Sequence, residues 1–296
     1  MNIDDFGMDT ITLAGPLEAK LRAIRGAGFT QVMLNAGDIV GHPDGEDAAV
    51  RAVRESGLRV TGFQVLRDFE GLSGHLHAYK VDVAKAMLAM CRALGSTVLL
   101  ACSSTSAHAT GEPELLIRDL RKLALLAVPF GIRIAYEALS WGRHVNLPVQ
   151  AWDIVRTADR ANLGVCIDSY HVLAHRAAGG VGVDVDPRKV FLVQLSDFLW
   201  QETRSPEDRM ETARHYRVFP GEGVHSAEVG TLVRALDEQG YRGDYSFEVF
   251  NDDYQQMPLA TVADRAYRSA LWLGEDVLKR SIPLPGQMRL RTPSGA

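Results

Sequence analysis

Four polar side chains stand near the ends of short apolar segments of the sequence. They occur in the runs Ile-Ala-Tyr-Glu137-Ala, Val-Cys-Ile-Asp168-Ser, Leu-Val-Gln194-Leu-Ser and Tyr-Ser-Phe-Glu248-Val. A buried acid stays ionised only when another charge compensates it, and three such acids close together repel one another. A divalent cation bound by all four side chains would resolve both problems. For each acid alone, the alternative is a buried ion pair with an arginine or a cap on a loop.

The donor atoms of these four side chains are all oxygens. Such a set is typical of Mg²⁺, Mn²⁺ or Co²⁺ sites and fits structural zinc less well. The three cysteines, Cys91, Cys102 and Cys166, lie far apart in apolar patterns. We therefore expect buried, reduced thiols rather than disulfides or thiolate ligands.

Other side chains follow the same segments at positions where they could act on a substrate. His171 comes three residues after Asp168, and an imidazole exchanges protons near neutral pH, which suits an acid/base residue. The alternative for His171 is a structural loop histidine. The loop Ser-Trp-Gly-Arg-His-Val-Asn offers Trp141 and His144 as pocket residues.

Two arginines are placed where they could recognise a carboxylate. Arg67 occurs in Leu-Arg-Asp-Phe-Glu-Gly, and Arg217 occurs in Tyr-Arg-Val-Phe-Pro-Gly-Glu-Gly. A guanidinium holds a carboxylate through two parallel hydrogen bonds. Alternatively, either arginine pairs with the metal-site acids and touches no substrate.

All these residues need a scaffold that brings the ends of neighbouring segments together. Eight short apolar runs alternate with stretches of helical period, which predicts βα units and a parallel sheet. The predicted strands are Ile3–Leu13, Phe29–Asn35, Leu58–Val65, Thr97–Ser103, Arg133–Leu139, Leu163–Ser169, Val190–Asp197 and Tyr245–Asn251. Glycines such as Gly57 and Gly95 follow the helical patterns, and prolines such as Pro113 and Pro148 open them. Residues 1–281 are therefore predicted to form one (β/α)8 barrel, whose chemistry gathers at the C-terminal ends of the strands.

The rest of the chain and its composition restrict the partners. Residues 282–296 are rich in Pro, Gly and Arg, which predicts a tail that is loosely ordered or packs on a neighbouring subunit of a homo-oligomer. A net charge of −5 gives no basic field for nucleic acid. No stretch reaches the roughly 18 apolar residues of a membrane span, and the acidic start is unlike a signal peptide. We expect a cytoplasmic protein that binds a small-molecule substrate.

The motifs above resemble those of a known family, the xylose isomerase-like barrels of the sugar phosphate isomerase and epimerase type. Within it they are similar to the bacterial metal-dependent 3-dehydroshikimate dehydratases. The resemblance implies an acid/base position for His171 and substrate-binding positions for Arg67 and Arg217. It implies metal-ligand positions for Glu137, Asp168, Gln194 and Glu248. One departure is Asn35, at a strand end where that family usually has an acid, which leaves the identity of the substrate open.

The residues and the resemblance lead to one reaction and two alternatives. A metal-dependent lyase would dehydrate 3-dehydroshikimate or a similar cyclic hydroxy-ketone acid through a metal-stabilised enolate, with His171 protonating the departing hydroxyl. An isomerase or epimerase would instead move a proton between two carbons of a ketose, with Glu137 and Glu248 as opposed bases. A catalytically silent barrel would bind a sugar or serve another subunit. Arg67 and Arg217 distinguish the first two, because only a carboxylate substrate needs a guanidinium.

Overall fold

Eight parallel strands form a closed barrel in the structure, a computed structural model that describes residues 5–175, 184–200 and 202–280. In chain order they are β1 (Phe6–Asp9), β2 (Gln31–Asn35), β3 (Arg59–Arg67), β4 (Val98–Cys102), β5 (Arg133–Glu137), β6 (Leu163–Asp168), β7 (Val190–Leu195) and β10 (Tyr245–Phe247). Two short strands, β8 (Asp197–Phe198) and β9 (Arg217–Val218), pair antiparallel outside the barrel. Strand β10 pairs with β7 and with β1, which closes the ring. The predicted (β/α)8 barrel is confirmed.

Helices follow the strands and cover the outside of the barrel. They are α1 (Leu17–Gly26), α2 (Ala36–Val40), α3 (Glu46–Ser56), α4 (Gly74–Leu94), α5 (Pro113–Ala127), α6 (Pro148–Ala158), α7 (Ser169–Ala174), α8 (Pro206–His215), α9 (Ser226–Gln239) and α10 (Leu259–Trp272). Proline opens α5 and α6, and Gly57 and Gly95 end α3 and α4 with left-handed φ angles of 67° and 75°. Within the described ranges, no helix is long and apolar enough to cross a membrane.

Each predicted strand overlaps an observed one, but all except the third are shorter than predicted, the first and last most of all. Strand β1 ends at Asp9 because its carboxylate accepts from the N–H of Ile11 and starts a 3-10 helix. Strand β10 ends at Phe247, so Glu248 lies one residue beyond it. The predicted tail 282–296 lies outside the described residues.

The inner face of the barrel becomes polar at its C-terminal end. Alternate side chains of a strand share one face. Inward-facing side chains from β4 to β7 pack in a small cluster that includes Leu100, Ala135, Cys166 and Leu192. Two residues further along these strands stand Cys102, Glu137, Asp168 and Gln194. The strand period therefore brings the predicted ligands to one end of the barrel.

Candidate active site

Three potential ligands converge at this end of the barrel. Glu137, Asp168 and His171 each place one ligand atom within 4.8 Å of the others, and all three side chains are buried. Glu137 ends β5 and Asp168 ends β6. The Asp168 carboxylate accepts from the N–H of Tyr170 at 2.7 Å and thereby caps α7. This cap starts the helix at the strand end and holds His171 beside it.

Glu248 is linked to this group by a buried arginine. The Nη1 atom of Arg217 lies 2.7 Å from Asp168 Oδ2 and 3.2 Å from Glu248 Oε2. The guanidinium lies over the Tyr170 ring, 4.5 Å from its centroid, and Nε donates to the carbonyl of Ala213. Only 2% of Arg217 is exposed. Of its two roles considered from the sequence, the geometry favours pairing with the site acids.

Two buried thiols lie against proposed ligands, and neither contact was predicted from the sequence. The Cys102 thiol donates to Glu137 Oε2 at 2.9 Å, and the Cys166 thiol donates to Gln194 Oε1 at 3.2 Å. Burial, followed by the charge of Glu137, raises the pKa of both thiols, so each keeps the proton that it donates. The strand period could have found them, because Cys166 shares its inward face with Asp168.

The site contains more buried negative than positive charge. Burial raises the pKa of Glu137 well above its usual value, and the charges of Asp168 and Glu248 add to this effect. Burial also raises the pKa of Glu248 to about 7, although Arg217 acts in the opposite direction. Three carboxylates around one guanidinium leave negative charge that a cation would neutralise. The donor set therefore fits a divalent metal ion.

We expect a divalent cation to stabilise the protein more strongly as the pH rises. Because the pKa values of Glu137 and Glu248 are raised, these two carboxyls contribute most to the stability of the metal-free fold below the usual value of 4.5. The contribution of Glu248 is lost as the pH rises through about 7. A cation binds the ionised carboxylates and offsets this loss. Excess Mn²⁺ should raise the melting temperature by roughly 5–10 °C at pH 8 and by little at pH 5.

Differential scanning fluorimetry of chelator-treated protein, with and without Mn²⁺, measures this difference in melting temperature. In Asp168→Asn, which lacks one proposed ligand charge, the difference at pH 8 should be smaller. Equal melting temperatures of the parent protein with and without Mn²⁺ at pH 8 would contradict the metal site.

His171 is held as a neutral hydrogen-bond donor. The backbone N–H of Ser140 donates to His171 Nδ1 at 3.1 Å, so the ring proton resides on Nε2, which lies 3.6 Å from Asp168 Oδ2. Burial lowers the pKa of His171 to about 3. The structure differs here from the expected exchange near neutral pH, because the ring is removed from water.

A cavity of about 300 Å³ opens beside these groups. Its lining includes Glu137, His171 and Glu248, and also Trp141 and Arg67, which were predicted to bind substrate. The Trp141 and His171 rings meet edge to face, with centroids 5.1 Å apart.

His144, the other predicted pocket residue, lies away from the cavity lining. Its Nε2 donates to the carbonyl of Ala109 at 2.9 Å. The loop after β5 therefore directs this ring toward the loop after β4 instead of toward the cavity. Periodicity carries no information on loop directions, so the sequence could not show this.

Two guanidinium groups that line the cavity are available to an anion. Arg67 ends β3, and Arg214 lies in the last turn of α8. Within the described part of the chain, neither side chain makes a hydrogen bond or an ion pair. Arg214 was not predicted from the sequence, although it stands three residues before Arg217.

The fold and the site place this protein in the class of (β/α)8-barrel enzymes, whose active site lies at the C-terminal ends of the strands. This chain belongs to the xylose isomerase-like TIM barrel family, whose model matches residues 21–274. The family resemblance stated from the sequence is therefore confirmed.

Curated relatives include enzymes of two kinds. A 3-dehydroshikimate dehydratase of Pseudomonas aeruginosa is 39% identical over 278 residues, which are 93% of this chain and 43% of that protein. One of Pseudomonas putida is 36% identical over 271 residues, 92% of this chain and 42% of that protein. The chain thus spans less than half the length of these two relatives. An inosose isomerase of Bacillus subtilis is 26% identical over 207 residues, 66% of this chain and 68% of that protein.

Solved structures share the fold. A xylose isomerase-like TIM barrel/4-hydroxyphenylpyruvate dioxygenase fusion protein is 34% identical, with a TM-score of 0.85 over 95% of this chain and 45% of that chain. The IOLI protein, solved with a bound zinc atom, is 20% identical, with a TM-score of 0.79 over 92% of this chain and 98% of that chain. The second likeness shows the common barrel alone.

Proposed function

We propose that this chain is a divalent-metal-dependent lyase that removes water from 3-dehydroshikimate or a similar cyclic hydroxy-ketone acid. The observation that supports this most strongly is that two kinds of polar group line the same cavity. Its lining combines carboxylates and His171 with the available guanidinium groups of Arg67 and Arg214. A hydroxy-ketone needs the first set for proton transfer, and a ring carboxylate needs the second for recognition.

The proposed metal ligands are the four strand-end side chains Glu137, Asp168, Gln194 and Glu248. When bound, a divalent cation supplies a Lewis acid for the ketone oxygen. The oxygen donors favour Mn²⁺, Mg²⁺ or Co²⁺.

The hydrogen bonds of His171 divide the acid and base roles in this proposal. Its Nδ1 lone pair accepts from Ser140, so the ring offers a donor, Nε2–H, and no free lone pair. The base that removes the proton next to the ketone is therefore a carboxylate, Glu137 or Glu248. Both carboxylates line the cavity beside His171, where a bound ketone would lie.

These residues account for both proton transfers of the elimination. The electrons of the broken C–H bond form a C=C bond, the C–O bond of the neighbouring hydroxyl breaks, and the Nε2 proton of His171 leaves with that oxygen as water. Proton transfer from the carboxyl group to His171 then restores both residues. Aromatisation of the ring makes the step favourable.

A second candidate function is an isomerase or epimerase acting on a ketose. It is favoured by Glu137, at the end of β5, and Glu248, just after β10, which line one cavity, and by the similarity to inosose isomerase. Inosose carries no carboxylate, so this alternative gives Arg67 and Arg214 no substrate partner.

Incubation of the purified chain with Mn²⁺ and 3-dehydroshikimate tests the proposal. An ultraviolet band of the aromatic product should appear, and it should be absent with chelator and in Asp168→Asn. Interconversion of inosose isomers without an aromatic product would favour the isomerase. Metal occupancy without turnover of either compound would favour a catalytically silent barrel.

We expect Arg67→Met and Arg214→Met each to raise KM for 3-dehydroshikimate by about 10- to 150-fold, because a hydrogen bond between charged groups contributes about 1.5–3 kcal/mol. The value of kcat should change less, since neither guanidinium is proposed to touch the reacting atoms. Steady-state kinetics with Mn²⁺ measures both parameters.

The matched control is Arg143→Met, which removes an arginine from the loop after β5 that lies outside the cavity lining. It should leave KM unchanged. If KM is also unchanged in both cavity variants, these arginines hold no substrate carboxylate and the isomerase becomes the better explanation.

A further inference from the structure

A buried carboxylate that the proposed reaction does not use holds a carboxamide at the cavity wall. Gln64, near the end of β3, lines the cavity, and Asp9, the last residue of β1, is fully buried. The Nε2 atom of Gln64 donates to Asp9 Oδ2. The other carboxylate oxygen, Oδ1, accepts from the N–H of Ile11 at 3.1 Å. Both oxygens of Asp9 therefore act as acceptors.

Asp9 determines which way the Gln64 carboxamide faces. Both Asp9 oxygens accept N–H groups in the structure, so the amide turns its N–H side toward Asp9. The amide also acts on Glu248: it lowers the pKa of that carboxyl, against the larger effect of burial. The remaining polar atom is Oε1, which has no donor within the described part of the chain and is not enclosed. Because Gln64 lines the cavity, this acceptor is available to a bound molecule.

We propose that Gln64 Oε1 accepts a hydrogen bond from a hydroxyl of the bound substrate and that Asp9 fixes the carboxamide for this contact. The inference rests on the proposed function, which supplies a substrate with several hydroxyl groups. A hydroxyl meets Oε1 as a donor, whereas a C–H group at the same place leaves it unpaired. A site with such an acceptor discriminates against analogues that lack the hydroxyl. Asp9 acts through Gln64 and is a positioning residue.

The test compares the affinities of two ring acids, shikimate with three hydroxyls and cyclohex-1-ene-1-carboxylate with none. Neither has the ketone that dehydration requires, so calorimetric titration in excess Mg²⁺ measures binding alone. Gln64→Met removes the acceptor at similar volume. It should reduce the preference for shikimate by about 2- to 10-fold, the size expected for one hydrogen bond. The matched control is Gln31→Met, a buried glutamine at the N-terminal end of β2, which should leave the preference unchanged.

Asp9→Asn tests the positioning role. The asparagine oxygen still accepts the hydrogen bond from the N–H of Ile11, so its NH₂ group faces Gln64. This NH₂ group is a donor, and its acceptor would be the side-chain carbonyl of Gln64. Turning this carbonyl inward places it against the Glu248 carboxylate, so no orientation satisfies both neighbours. We expect the side-chain NH₂ signals of Gln64 in a ¹⁵N–¹H spectrum to shift or double and the preference for shikimate to fall. Gln64→Met assigns those signals by removing them.

Each result supports or overturns one part of the inference. An unchanged preference in Gln64→Met overturns the hydroxyl contact, and unchanged Gln64 signals in Asp9→Asn overturn the role of Asp9. Failure of the proposed function is recognised separately, because the parent protein then forms no aromatic product, while the spectra do not depend on turnover. If neither ring acid binds the parent protein, the proposed substrate class is overturned, and the hydroxyl contact with it.

Discussion

Glu248→Gln is expected to lower the affinity for Mn²⁺ by more than about 100-fold and the turnover of 3-dehydroshikimate by about 10³-fold, while the barrel remains folded. Glutamine keeps the volume of the side chain and can still accept a hydrogen bond from Arg217, so the change removes charge alone. Loss of an outer-shell partner already weakens metal binding by about 10- to 100-fold, and loss of a ligand charge should exceed this. The fall in turnover corresponds to about 4 kcal/mol of transition-state stabilisation.

The matched control for this variant is Glu222→Gln. Glu222 pairs with Arg265 at 2.8 Å, as Glu248 pairs with Arg217, but it does not line the cavity. Its substitution should leave metal affinity and turnover unchanged. Titration calorimetry with Mn²⁺ and steady-state kinetics compare the two variants. Equal metal affinity in Glu248→Gln and in the parent would mean that Glu248 is a structural partner of Arg217, which is the ion-pair alternative for these acids.

The barrel could be predicted from the sequence because its signal repeats eight times along the chain. Apolar runs of strand length alternate with helical periods, and residues at the same place in successive strands must meet at one end of a closed barrel. This is why Glu137 and Asp168 could be paired before the structure was known, although 31 residues separate them in the sequence. The end of β1 could not be placed in this way, because Asp9 ends the strand through a local hydrogen bond to Ile11.

The side chains around the proposed ligands were harder to predict because their roles depend on partners from other elements. Cys102 belongs to an apolar strand, and its contact with Glu137 follows from the register between β4 and β5. Arg217 reaches Asp168 because the β8–β9 ribbon lies beside the barrel end, and such an excursion leaves no period in the sequence. Gln64 becomes an acceptor at the cavity only through its bond to a different strand.

His171→Asn should lower turnover by roughly 10²–10⁴-fold, the usual size of general acid/base catalysis, and leave the Mn²⁺ affinity close to that of the parent. Asparagine can accept the N–H of Ser140 but cannot pass a proton to a departing hydroxyl. The carboxylate and amide ligands remain in place. Because burial lowers the pKa of His171 to about 3, the ring does not titrate near neutral pH, so the residual activity should keep the pH profile of the parent.

The control for this variant is His175→Asn, because both histidines bond to Ser140 and follow the same strand. His175 Nε2 donates to the Ser140 carbonyl at 2.9 Å and does not line the cavity, so its loss should hardly change turnover. If His171→Asn instead loses its Mn²⁺, His171 is a ligand, as its place within 4.8 Å of Glu137 and Asp168 allows. If the variant keeps both metal and turnover, the proton is carried by Glu137, by Glu248 or by water. If a limb of the profile near neutral pH disappears, the working site returns the pKa of His171 toward its usual range, and the histidine would then act as a cationic acid.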